Sequence, residues 1–155
     1  MAAEAPQTEA ALIARLQKWA DGKATLKDVR GYSDEELYSI ARTAYFFFYQ
    51  GRISEARTLF QGLYAVNPLD AYFAKALGVV EMAAGNAQGA LAAYDVALKI
   101  SPQDAGAYVG RAEVKLAMGQ KPQAVDDLRR GAQFSGDDLA LKTKASAMLA
   151  NLSRK

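Results

Sequence analysis

From Thr8 onward the apolar positions of this chain follow helical spacing. Leu12, Ile13, Leu16 and Trp19 fall on one face, with Arg15, Gln17 and Lys18 outside it. Asp21-Gly22 ends that helix, and 22–32 reads as a loop or short turn. Ser33-Asp34-Glu35-Glu36 is a capping box that opens the next helix, with Ser33 at the N-cap and Glu36 at N3. At the far end Leu139, Leu141, Ala145, Met148, Leu149 and Leu152 form an amphipathic helix, with Asp137-Asp138 as its N-cap. Residues 1–7 are Ala-rich and are expected to fray.

Between these ends the pattern repeats. Gly51, Gly85 and Gly119 are spaced by 34, and so are Ala56, Ala90 and Ala124. Phe60, Tyr94 and Leu128 keep the same period, as do Pro68, Pro102 and Gly136. A 34-residue period with Leu77-Gly78, Gly85, Ala90, Tyr94 and Pro102 resembles the tetratricopeptide repeat. The units run 37–70, 71–104 and 105–138, after an N-terminal helix and lead-in over 8–36 and before a capping helix over 139–155. The expected fold is all-α, one solenoid domain of three helix pairs with a helix at each end. That makes eight helices and no sheet.

Each landmark has a physical reason. Small residues (Ala44, Gly78, Ala112, then Ala56, Ala90, Ala124) let the two helices of a unit pass closely. The bulky residue four positions later fills the gap to the next unit. Gly tolerates positive φ and ends the first helix. Pro stops the second. No unit can bury its apolar face alone, so the units must stack, and stacking curves them.

The first helix of each unit then lines the concave side, and frame positions 2, 5, 9 and 12 form one stripe into it. They are Tyr38, Ala41, Tyr45 and Phe48, then Tyr72, Lys75, Val79 and Met82, then Gly106, Val109, Glu113 and Leu116. Only Lys75 and Glu113 carry charge. The groove reads as a site for apolar side chains of an extended peptide, with Tyr as a rigid ring with a polar tip and Met82 as an adaptable contact. Two blander arrangements stand beside this: the N-terminal segment folds over the aromatic surface, and Lys75 pairs with Glu113 across the groove. In the aromatic run 45–49, Phe46 and Phe47 are expected to pack against the second helix and the N-terminal helix.

Composition removes most chemistry. The 155 residues contain no Cys and no His, which excludes thiol nucleophiles, histidine bases and nearly every transition-metal site. Lys+Arg is 19 against 17 Asp+Glu, a balance that points away from nucleic acid and anionic membrane. Asp126-Asp127 are adjacent on a helix and cannot form a close dyad, and 85–89 is a repeat turn and not a phosphate loop. No enzyme, cofactor or metal is expected. The start lacks the charge and apolar run of a secretory signal, and the apolar run 44–49 is far short of a span of about 20 residues. The expected location is the cytoplasm.

The flanks and repeats together resemble a particular family, the class II tetratricopeptide chaperones of type III secretion translocators. The residues that carry the likeness are Gly22-Lys23-Ala24-Thr25-Leu26-Lys27-Asp28, Ser33-Asp34-Glu35-Glu36-Leu37, Gln50-Gly51-Arg52, Glu55-Ala56, Leu59-Phe60-Gln61-Gly62-Leu63, Leu77-Gly78 and Ala112-Glu113. The resemblance implies a bacterial chaperone that keeps a hydrophobic secreted translocator soluble, with an extended segment of it in the groove. It implies groove aromatics at Tyr45 and Phe48, a further aromatic beside the groove at Phe73, and a weak homodimer through the N-terminal region. The chain departs from the family at Ala41, where a groove aromatic is usual, and at Pro68 and Pro102. A general adaptor that docks another protein on its convex face is the alternative. The 9 Lys/Arg against 5 Asp/Glu over 105–155 favour it slightly.

Overall fold

The structure is a computed structural model that describes residues 8–154; the expectation for 1–7 lies outside the described residues. Among the described residues there are nine helices and no strand. They are α1 (Glu9–Ala20), α2 (Leu26–Arg30), α3 (Asp34–Tyr49), α4 (Ile53–Val66), α5 (Ala71–Ala83), α6 (Ala87–Ile100), α7 (Ala105–Ala117), α8 (Lys121–Phe134) and α9 (Leu139–Ser153). The helix beyond the expected eight is α2, which lies inside the presumed loop. It has its own capping box: Thr25 accepts from the Asp28 N–H while the Asp28 carboxylate accepts from the Thr25 N–H.

The 34-residue period is visible in the caps. Asp70, Asp104 and Asp138 are the N-caps of α5, α7 and α9, and each carboxylate accepts a backbone N–H of the first turn. Such a cap contributes about 1 kcal/mol. Gly51, Gly85 and Gly119 follow α3, α5 and α7 at φ of +77°, +80° and +75°, where a side chain would strain the backbone. Helices α4 and α6 end at Val66 and Ile100, just before Pro68 and Pro102.

Helices pair as α3/α4, α5/α6 and α7/α8, and α9 closes the row against α8. First helices also meet directly, α5 with α7 and α7 with α9, while α4, α6 and α8 are separated by the first helices between them. The row of first helices is therefore the inside of the curve. Ala44, Ala56, Ala90, Ala112 and Ala124 are all sealed, as are Phe60 and Leu128. Three apolar clusters run along the stack, the last of them joining Val109, Leu128 and Ala145 beneath α9. Leu139 does not join it; at the first position of α9 it projects into solvent. Phe47 packs on the first cluster with the Arg52 guanidinium 4.2 Å above its ring. Phe46, expected in the core, is 59% exposed. Its ring leans only on Phe47, at 6.2 Å, while α1 pairs with α2 and has no buried residue of its own.

The buried carboxylates Glu81 and Asp127 are paired. Arg111 bridges Asp127 at 2.7 Å and Asp95 at 2.8 Å, and Lys115 reaches Asp127 at 2.7 Å. Asp126, its sequence neighbour, faces solvent near Arg129. Burial pushes the Asp127 carboxyl up, but hydrogen bonds and charges from Arg111 and Lys115 outweigh it and hold the group below the usual carboxylate range.

Three outcomes follow for stability. A Cβ added at Gly110 meets the Tyr94 ring, so Gly110→Ala should cost about 1–3 kcal/mol in urea denaturation followed by helical circular dichroism. At helical Gly62 nothing lies within 4 Å, so Gly62→Ala should be neutral or stabilising by up to about 1 kcal/mol. A carboxyl lowered on folding stabilises above its unfolded pKa and loses that stabilisation as pH falls toward its folded value. Asp127→Asn should therefore destabilise the fold by about 3 kcal/mol at neutral pH and flatten the loss of stability below about pH 4.

Candidate functional site

The inner face of α3 and α5 is built from aromatic rings that brace one another. Tyr38 meets Tyr72 edge-on at 5.5 Å and Phe73 at 5.5 Å, and its hydroxyl donates to Asp70 at 2.7 Å. That bond and partial burial raise the Tyr38 phenol to about 12, so it stays protonated. Tyr45 rests edge-on against Phe60 at 4.9 Å and lies 6.3 Å from Tyr72. Tyr38 and Tyr72 are exposed, while Tyr45 and Phe48 are half-buried. The aromatic patch therefore has a sealed floor and an open rim. Farther along, Val79 and Met82 are half-buried over the second cluster and Leu116 over the third.

Two of the stripe positions do not face outward. Ala41 and Val109 are each 1% exposed. Both sit at frame position 5, where the first helix presses on the second helix of its own unit; the Val109 side chain fills the space a Cβ at Gly131 would take. A small or compact apolar residue there is drawn into the core. Lys75 occupies the same frame position with a long side chain, which carries its ammonium out. Phe73 is also buried, as a core ring beneath Tyr38 and Tyr72 and not beside the groove.

The two charges of the stripe are both engaged, but not with each other. The Lys75 ammonium donates to Asp104, the N-cap of α7, at 2.9 Å. Glu113 accepts from Lys144 of α9 at 2.6 Å. Each ties one unit to the next element, so neither is a free charge offered to a ligand.

Sequence reasoning missed Tyr49, which is 81% exposed and stacks on Tyr45 at 6.2 Å. It lies four residues after Tyr45, so the same helical stripe, extended one place, would have found it. Such a site offers apolar surface with hydroxyl tips, and its two stripe charges are already paired, which suits an extended apolar segment.

The fold has close relatives among solved structures. A type III secretion complex from Aeromonas hydrophila matches at 25% identity and TM-score 0.80, over 93% of this chain and 95% of that one. The type III secretion translocator chaperone SycD of Yersinia enterocolitica matches at 21% identity and TM-score 0.78, over 83% and 98%. PcrH in complex with the chaperone-binding region of PopD matches at 21% identity and TM-score 0.74, over 79% and 95%. No curated protein matches the chain in sequence. Family models described as tetratricopeptide repeat match residues 43–105 and 81–152, which together span most of the chain.

The groove makes one prediction of its own. Lys75→Met removes the tie to Asp104 without removing an apolar stem, and the pair is partly exposed. It should lower stability by no more than about 1 kcal/mol in urea denaturation, with the effect shrinking as salt is raised.

Proposed function

We propose that this chain, which belongs to the tetratricopeptide-repeat proteins, is a bacterial cytoplasmic chaperone for a hydrophobic type III secretion translocator. It holds an extended apolar segment of that cargo in the concave groove and keeps it soluble and export-competent. The observation that carries the reading is the groove itself: an open aromatic rim on α3 and α5, with both charged stripe residues already paired to the scaffold. The shape neighbours support it, since they include SycD in complex with a peptide of the translocator YopD and PcrH in complex with the chaperone-binding region of PopB. Among the described residues no helix is long and apolar enough to cross a membrane. The reading is non-enzymatic. Asp127, the buried member of the acidic pair, is held by Arg111 and Lys115 and has no role to play in chemistry.

Tyr38, Tyr45, Tyr49, Phe48 and Tyr72 are the residues assigned to the cargo's apolar anchors, with Val79, Met82 and Leu116 continuing the surface. The weak homodimer is assigned to the N-terminal region. There Leu12, Ile13, Leu16 and Trp19 of α1 are exposed, and in the first repeat an apolar recess of about 270 Å³ opens between α3 and α4 near Ile40, Gly62 and Val66. Contiguous exposed apolar surface of this kind marks association.

A tagged copy recovered from its native host tests the chaperone reading. It should carry a secreted protein with long apolar segments, retained in high salt because apolar contacts are not screened. A Tyr49→Ala/Tyr72→Ala variant of unchanged helicity should retain at least about ten-fold less. A folded soluble partner, released by salt and indifferent to the variant, would replace the chaperone with a convex-face adaptor.

A further inference from the structure

Tyr94 belongs to α6, in the outer row, yet its ring passes inward between α5 and α7. A Cβ at Gly78 would lie 2.8 Å from its Cε2, and one at Gly110 would lie 2.5 Å from its hydroxyl oxygen. Both inner helices therefore leave out a side chain where the ring passes. The residue is 4% exposed. Its packing role needs no oxygen, because the same frame position holds Phe60 in the first unit and Leu128 in the third, both sealed.

The hydroxyl is thus an addition, and nothing in the fold uses it. No group among the described residues hydrogen-bonds it, and it is not among the buried polar atoms cut off from solvent. Burial and the carboxylates of Glu113 and Asp104 push the phenol up, so it is a neutral donor at physiological pH. Around it stand the pairs Lys75–Asp104 and Glu113–Lys144, whose four charges cancel. A Cβ at Gly106 would lie 3.6 Å from the Lys75 ammonium, so α7 is bare of side chains at both 106 and 110. Between the aromatic rim and Leu116, the groove therefore has one uncharged hydrogen-bonding point flanked by satisfied ion pairs. A charged cargo residue there would have to compete with those pairs, and an apolar one would leave the hydroxyl without a partner.

We propose that the Tyr94 hydroxyl is a specificity contact, which hydrogen-bonds one Ser, Thr, Asn or Gln side chain set between the apolar anchors of the bound segment. The proposal rests on the reading of the groove as a peptide site.

The test is selection from a displayed random 12-residue peptide library on the full-length chain and on Tyr94→Phe. The wild type should enrich peptides with apolar anchors and a single Ser, Thr, Asn or Gln at a fixed place between them. Tyr94→Phe should keep the anchors and lose the preference at that place, with the same melting temperature. Changing that residue to Ala in a selected peptide should weaken wild-type binding roughly ten-fold and leave Tyr94→Phe unaffected. The peptide substitution asks the question without altering the fold of the protein. Anchors without a polar place, or a polar place that survives in Tyr94→Phe, would overturn the Tyr94 contact alone. Failure to enrich apolar peptides at all would overturn the groove reading and this contact with it.

Discussion

The close approach of helices across the Tyr94 ring sets much of the remaining geometry. Gly78 and Gly110 give up side chains so that one aromatic from the outer row can lie between two inner helices. That contact holds the second unit together and joins it to the third. It also draws α5 and α7 together while α6 and α8 stay apart, and the difference between the rows is the curvature. A helix pair with an unburied face has no stable existence alone, so the groove is a consequence of how the pairs must close.

The same economy governs polar groups. Buried charges are destabilising unless they are paired, and the two buried carboxylates are each paired across a helix boundary. Asp127 holds Arg111 and Lys115 between α7 and α8, and Glu81 takes Arg57, Gln61 and Asn86 where α4, α5 and α6 meet. Lys75 and Glu113 do the same at the groove surface. The charges that could have given the groove an electrostatic preference are spent on its scaffold. What remains for recognition is ring surface, hydroxyl tips and shape.

The repeat made the fold legible. A 34-residue period in Gly, Ala and bulky residues determines which helices pair, which positions are sealed and where chain reversals need positive φ. The capping aspartates at 70, 104 and 138 carry the same period, although only the last stands out in the sequence, as one of an acidic pair before an apolar helix. The short helix α2 was hidden because five residues give no periodicity; only its Thr25–Asp28 capping box marks it. The site was less legible, for a reason that lies in side-chain length. Frame position 5 puts Ala41, Lys75 and Val109 in one geometric place, but a short apolar side chain turns it into core and a lysine turns it into surface. A stripe drawn from spacing alone cannot separate these. Tyr94 shows the converse: a position read as filler passes its ring between α5 and α7 because the facing positions, 78 and 110, are glycine.

The most direct measurement is hydrogen–deuterium exchange of the free chain against the complex co-purified with its cargo. A segment seated in the groove should slow exchange along α3, α5 and α7, with α4, α6 and α8 little changed. Slowing confined to the outer row would contradict a groove-bound cargo and place the partner on the convex face.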